Sequence, residues 1–250
     1  MGQAGFHPYA FSGIMRPVTE NGKRYLTAPR LGRIPWLVHG FGTREWREDD
    51  FSGDSLLKSF RLVLMNQVHS DIVHVIREAP GSRPEGDALV SETPGLLLAV
   101  KTADCLPVLL LDPLKKAVAA VHCGWRSTRE RILGRVVDIL RTEFSSVPAE
   151  ILAVFGPCIG PECYEVGEEV RALFAAADFP SIVFRPGPGE GGKVALDLRR
   201  ANEWILGQAG LLKENVLSVE GCTHCDPRLL SYRRDKDKDE RMFNFIGITE

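Results

Sequence analysis

Between residues 87 and 122 four apolar runs (87–90, 95–100, 107–111 and 117–122) follow one another with only short turns, such as Asp112-Pro113, between them. None is long enough for a core helix, and their aliphatic, β-branched character at that spacing commits the middle of the chain to short strands. Further strands are predicted at 36–41, 61–65, 71–76, 151–155, 216–219 and 243–248. The period changes after Thr128, read as an N-cap: Ile132, Val136, Ile139 and Leu140 mark one face of an amphipathic helix. Helices are also expected at 166–176 and 197–208, the latter with Leu198, Ala201 and Ile205 on its apolar stripe. Runs of strands with helices inserted, in place of strict alternation, predict an α+β fold, a single domain of mixed β-sheets over residues 36–250. Residues 1–35 are expected to form an irregular leader, 45–54 a charged mobile loop, and 186–192 a loop or short linker.

The chain is long enough to bury a full core, and its 31 basic and 33 acidic residues create no net field that would recruit nucleic acid or an anionic membrane. No apolar run reaches membrane-spanning length, and Met1 to Ala10 lacks the basic and apolar regions of a signal peptide, so the expected compartment is the cytoplasm.

Three segments close hydrophobic runs and carry the chemistry: Asn66-Gln67-Val68-His69, Thr102-Ala103-Asp104-Cys105 and Val121-His122-Cys123-Gly124-Trp125-Arg126. If residues 68–76 form one strand, His69 and His74 point to opposite faces; the same parity separates His122 from Cys123 and Asp104 from Cys105. One residue per segment survives: His69, Cys105 and His122. Two imidazoles and a thiolate suit a zinc ion that keeps one position open for chemistry. The same trio also makes a cysteine nucleophile with two candidate bases.

Arginines form a second class. Arg44 follows a Gly-Phe-Gly-Thr turn, Arg126 follows Gly-Trp, and Arg233 and Arg234 follow Leu-Ser-Tyr; guanidinium groups on such loops can hold phosphate or carboxylate, or simply make surface ion pairs. Asp235 to Glu240 reads as a solvated charge run. Residues 156–160 match neither phosphate-loop pattern and are expected to make a tight turn at a site rim, and the His-x-Glu/Pro-Cys-x-x-Cys signature of zinc deaminases is missing. Cys158 with Cys163, and Cys222 with Cys225, offer four thiolates for a structural zinc; scattered buried thiols are the plainer alternative.

The ordered string Gln67-Val68-His69, Gly86-Asp87-Ala88-Leu89-Val90, Ala103-Asp104-Cys105-Leu106-Pro107, His122-Cys123-Gly124-Trp125-Arg126 and Gly156-Pro157-Cys158-Ile159-Gly160 resembles the laccase-domain, polyphenol-oxidase-like family. Cys163-Tyr164-Glu165-Val166-Gly167 and Ser231-Tyr232-Arg233-Arg234-Asp235 extend the match toward the C-terminus. The resemblance implies a single α+β domain of the cysteine-hydrolase type and a zinc-dependent purine nucleoside phosphorylase with adenosine deaminase side activity; members have also been labelled laccases or peptidoglycan editing factors. It implies metal ligation by His69, Cys105 and His122. Catalytic roles fall to these three and Asp104, with Asp104 or Asp87 orienting ligands, and substrate or phosphate binding to Arg44, Gln67, Arg126 and Arg233. This chain departs from the family pattern at Cys123 and Ser127, at Glu45-Trp46-Arg47, where Gly-Gly is usual, and at Glu240 before Arg241-Met242.

The implied substrates are purine nucleosides and phosphate, with zinc as cofactor and copper as an opportunistic occupant of the same ligands. Multicopper oxidation needs an additional histidine-rich cluster, and the chain has six histidines in all. Cys105-dependent amide hydrolysis in peptidoglycan editing, laccase-like polyphenol oxidation, and a non-enzymatic module that senses nucleotides or metals stand as alternatives.

Overall fold

In the structure, a computed structural model, residues 14–17, 24–187 and 193–249 are described. Met1 to Ala10, with His7, and residues 188–192 of the predicted Gly-rich loop lie outside them. Fifteen strands are seen among the described residues: β1 (Ile14–Pro17), β2 (Arg24–Thr27), β3 (Leu37–Gly42), β4 (Arg61–Val63), β5 (Val73–Val75), β6 (Ala88–Ser91), β7 (Leu96–Thr102), β8 (Leu106–Asp112), β9 (Ala117–Cys123), β10 (Leu152–Phe155), β11 (Glu165–Val166), β12 (Phe184–Pro186), β13 (Val194–Leu196), β14 (Val216–Ser218) and β15 (Met242–Ile248). The helices are α1 (Asp50–Gly53), α2 (Trp125–Arg129), α3 (Ile132–Glu143), α4 (Glu168–Ala176), α5 (Leu198–Gln208) and α6 (Tyr232–Asp235). Two six-stranded sheets, β1-β2-β3-β15-β7-β4 and β14-β10-β8-β9-β6-β5, are accompanied by a separate three-stranded one, β11-β13-β12. Both large sheets are mixed, since β4–β7, β5–β6 and β10–β14 pair in parallel. The α+β expectation holds.

The central strands read as continuous apolar runs because both of their faces are buried. In β8, Val108 and Leu110 face a core shared with α3 and α5, while Leu109 and Leu111 face the other large sheet. In β7, Leu98 and Val100 meet that inter-sheet core, whereas Leu97 and Ala99 face a third cluster with Trp46, Phe51 and Leu57. The layers are therefore helices, sheet, sheet and a cover formed by residues 46–60.

That cover corrects the sequence reading. The segment 45–54 contains α1, and Trp46 is fully buried, edge-on to Tyr25 and Phe51. An indole inserted into an aromatic cluster outweighs the charged flanks that suggested a mobile loop. The described part of residues 1–35 is likewise ordered: β1 and β2 form a hairpin pair, β2 joins β3, and Leu31 is wholly buried. Thr128 is not an N-cap; it is buried inside α2, where its hydroxyl accepts from Asn202, and α3 begins after Arg131 in a left-handed conformation. The short strands β12 and β13, unforeseen in the sequence, close the small sheet with β11.

Candidate metal centre

Strand register places the trio. Leu106 pairs with Cys123 and Pro107 with His122, so Cys105, one residue before β8, lies beside the end of β9. Ala88 pairs with Val121, and the His122 N–H donates to the Asp87 carbonyl at 2.8 Å, bringing Asp87 to the same level. His69 arrives from the connection between β4 and β5. That connection is not strand, as only Val73–Val75 forms one; the parity argument therefore had a false premise for His69, although His74 does turn away and bonds the Glu85 carbonyl at 2.8 Å. Cys123, by contrast, faces the helix-side core, as parity required.

His69 sits at φ 60°, an uncommon conformation for a side-chain-bearing residue. The Asp87 carboxylate holds it there by accepting three consecutive backbone N–H groups: Val68 at 3.3 Å, His69 at 3.1 Å and Ser70 at 2.6 Å. The same carboxylate accepts from His122 Nδ1 at 2.7 Å. Burial would raise the Asp87 carboxyl, but the bonds from His122 and Ser70 overcome it and hold the pKa at about 2. One acid thus fixes the positions of two of the three candidate ligands.

Cys105 Sγ lies 3.9 Å from His69 Nε2, the two imidazoles are 4.8 Å apart between centroids, and the candidate ligand atoms all fall within 4.8 Å of one another. With Nδ1 of His122 bonded to Asp87, its Nε2 is free to ligate, the usual carboxylate–histidine–metal arrangement. Gly124 makes the space: a Cβ there would stand 2.8 Å from His69 Cδ2 and 3.2 Å from Cys105 Sγ. Burial opposes ionisation of Cys105, yet His122 and His69 bring its thiol down to about 6. Burial also opposes charge on His122, but Cys105 and Asp87 raise it to about 9. Each group thus favours the charged form of the other, and a metal would displace the proton that they hold. The donor set, spacing and supporting carboxylate fit a three-ligand metal site with an open position.

The remaining expected residues have varied surroundings. Arg126 lines a cleft of about 540 Å³ with His69, Trp125 and Leu173, its guanidinium 4.3 Å over the Trp125 ring and without an acidic partner among the described residues. Arg233 stacks 5.4 Å from the Tyr164 ring and donates to the Glu165 carbonyl. Arg234 instead ties the carbonyls of Thr223, His224, Asp226 and Leu229. Arg44 pairs with Asp235 at 3.1 Å on the surface. The Gln67 amide clamps the backbone of Lys101 in both directions, at 2.8 and 2.7 Å, anchoring the His69 loop to β7. Asp104 touches neither imidazole in any bond; it accepts from Thr223 Oγ1 and the Arg233 N–H, each at 2.6 Å, and so secures the C-terminal segment beside Cys105.

Sequence reasoning missed Tyr164 and Ser127. Burial pushes the Tyr164 phenol far up, with the Cys105 charge adding to that shift while Arg233 and Arg126 oppose it. Ser127 Oγ accepts the Gly124 N–H at 2.9 Å and donates to the His122 carbonyl at 3.1 Å, buttressing the turn that ends β9. The serine was visible only as a departure from the family pattern. Of the four cysteines considered for a structural zinc, Cys158 is buried in the helix-side core and meets Cys222 through a backbone bridge, whereas the thiols of Cys163, Cys222 and Cys225 are hydrogen-bond neighbours of one another.

The family model described as multi-copper polyphenol oxidoreductase laccase matches residues 51–249. A Deinococcus radiodurans protein named purine nucleoside phosphorylase is 42% identical over 185 residues, which are 74% of this chain and 69% of that one. A protein of an unknown prokaryotic organism, named adenosine deaminase RL5, is 38% identical over 177 residues, 66% of each chain. The crystal structure of the Bacillus licheniformis hypothetical protein YfiH superposes with a TM-score of 0.81 at 26% identity, covering 94% of this chain and 99% of that one.

Proposed function

This chain belongs to the multi-copper polyphenol oxidoreductase laccase family, and from that membership we propose that it is a zinc-dependent purine nucleoside phosphorylase with adenosine deaminase side activity. Its substrates would be adenosine, inosine or methylthioadenosine with phosphate, and its products the free base and the ribose phosphate. Relatives named for both activities support the reaction class. The observation that carries the substrate half of the reading is Arg126, an arginine with no acidic partner among the described residues, on the wall of the same cleft as His69.

Phosphorolysis requires a phosphate oxygen held against the anomeric carbon while the purine leaves. Arg126 offers a guanidinium fork for two phosphate oxygens, a positioning and electrostatic contribution. Arg233, anchored over Tyr164 beside Asp104, extends the positive surface; Arg44 would join only by leaving Asp235. Trp125 and Leu173 give apolar walls against which a purine can pack. His69, Cys105 and His122 would hold the zinc, which supplies Lewis-acid polarisation of a substrate group. Gln67 and Asp104 act through position: one fixes the His69 loop, the other the segment bearing Arg233.

The multicopper label does not favour a laccase. Among the described residues, His39 accepts the Ala28 N–H, His74 bonds Glu85 and His224 lies with Cys163 and Cys225, so two histidines, not a histidine-rich cluster, meet at this trio. One observation keeps a second reading: Cys105, His122 and Asp87 stand in the order of nucleophile, base and orienting carboxylate. Metal content separates the two, because a tightly held equivalent of zinc makes Cys105 a ligand.

The test is incubation of adenosine, inosine and methylthioadenosine with and without phosphate, following free base and ribose phosphate. Base release that requires phosphate, stops on chelation and returns with zinc is the expected result. Release indifferent to phosphate, or activity that survives full metal removal, would overturn the proposal.

A further inference from the structure

We propose that Cys163, Cys222, Cys225 and His224 form a second zinc site, structural in character and separate from the His69/Cys105/His122 trio. The ligand atoms of Cys163, His224 and Cys225 all lie within 4.8 Å of one another. The Cys222 thiol is a hydrogen-bond neighbour of both other thiols. Cys163 comes from the turn after Pro161; the other three come from the single stretch Cys222-Thr223-His224-Cys225, whose Cys-x-x-Cys spacing suits a zinc knuckle.

Distances favour a bridging cation over a disulfide. The sulfurs of Cys163 and Cys225 are 3.4 Å apart. A disulfide needs about 2.05 Å. Two thiolates on one tetrahedral zinc, each at about 2.3 Å, stand about 3.8 Å apart. Backbone support is already in place: the Gly160 N–H donates to Cys222 Sγ at 3.2 Å, and the N–H groups of Cys225 and Asp226 both return to the Cys222 carbonyl. Such an N–H bond to sulfur is the outer support that ligating thiolates receive. Cys163, His224 and Cys225 form the tight group, and Cys222, a neighbour of the two thiols, would close on the ion as the fourth ligand, giving the closed set of a structural site in contrast to the open trio.

The place of this cluster gives the ion a task. Thr223, between two of the ligands, donates to the Asp104 carboxylate, and Asp104 precedes Cys105. Arg234 gathers the carbonyls of Thr223 and His224 from the α6 side. A zinc here would pin the 222–234 segment to the turn that leads into Tyr164, and so fix Arg233 without touching substrate. The inference stands whether or not the chain is a phosphorylase.

The test is zinc stoichiometry by elemental analysis of the full chain, purified under reductant from zinc-supplied cells. About two zinc ions per chain are expected, falling to about one both in Cys105→Ala and in the double variant Cys163→Ser/Cys225→Ser. Where a variant fails to fold, cobalt exchanged into the unmodified chain decides: a three-thiolate tetrahedral centre gives intense thiolate-to-cobalt charge transfer that a one-thiolate trio cannot reach. A double variant with undiminished zinc, a cobalt spectrum of single-thiolate strength, or a Cys163–Cys225 disulfide in the reduced preparation would each overturn the site, and a single zinc per chain is assigned by whether the double variant loses it.

Discussion

Asp87 decides more about this site than any ligand does. Its carboxylate receives the three N–H groups that hold His69 in the left-handed region and the Nδ1–H that orients His122. Asp87→Asn keeps the size but offers one acceptor oxygen and an NH₂ facing those donors. Loss of such an outer partner commonly lowers metal affinity about 10–100-fold, measurable by competition with a chromophoric chelator; an unchanged affinity would remove Asp87 from the metal-supporting role. The second expectation concerns protonation. In metal-free protein the Cys105 thiol ionises at about 6, so the reactive thiolate predominates above that pH and disappears below it. Alkylation of Cys105 should therefore be half-maximal near pH 6, whereas Cys158, raised by burial to about 11, stays inert at neutrality. Zinc should protect Cys105; peptide mapping after a short alkylation pulse at several pH values checks both points. The three residues of the candidate trio were legible because each ends an apolar run. The role of Asp87 was only half legible, since a carboxylate bonding across 17 to 35 positions leaves no local spacing to read.

At the scale of elements, the departures from the family pattern have physical reasons. Ser127 stands where the family has glycine, and its hydroxyl bridges the Gly124 N–H and the His122 carbonyl at the start of α2. Ser127→Ala leaves a buried donor and acceptor to fend for themselves and should cost about 1–3 kcal/mol. At roughly 2–4 °C per kcal/mol for a chain of this size, calorimetry should register a clear fall in Tm. Trp46, in place of a usual glycine, fills the outer face of the first sheet against Tyr25, Phe51 and Phe245. Trp46→Ala should destabilise by about 3–5 kcal/mol, and a denaturant midpoint close to that of the parent chain would show the cluster to be dispensable. The central strands and the helices α3 to α5 were legible because their apolar patterns are long and strong. The strands β12 and β13, of three residues each, carry too few side chains for periodicity to speak. The cover over 46–60 was hidden because charge density suggested solvent while one indole, one phenyl ring and one leucine determined burial.

At the scale of the molecule, the trio sits where the chain changes sheets. The connection from β4 to β5 bears His69 and the turn from β7 to β8 bears Cys105; each leaves the first large sheet and enters the second, whose β9 supplies His122. The runs of strands with inserted helices predicted mixed sheets, yet the number of layers depends on which face of each doubly buried strand meets which neighbour. No apolar run states that by itself, and the sandwich was therefore not foreseen. Its consequence is thermodynamic. Among the described residues, no helix is long and apolar enough to cross a membrane. A cation bound by ligands on both sheet-crossing connections binds only the folded arrangement, and the stabilisation grows as RT ln(1 + [L]/Kd), about 2.7 kcal/mol at free metal 100 times Kd. For a chain of this size that is a rise in Tm of roughly 5–10 °C. The trio's share is the part of that rise which Cys105→Ala abolishes at matched free zinc, whereas the part that depends on Cys163 and Cys225 should persist in Cys105→Ala. Melting curves at buffered zinc activities, run for the parent chain and both variants, separate the two contributions. A zinc-dependent rise of equal size in parent and Cys105→Ala would mean that the ion does not join the sheets through this trio.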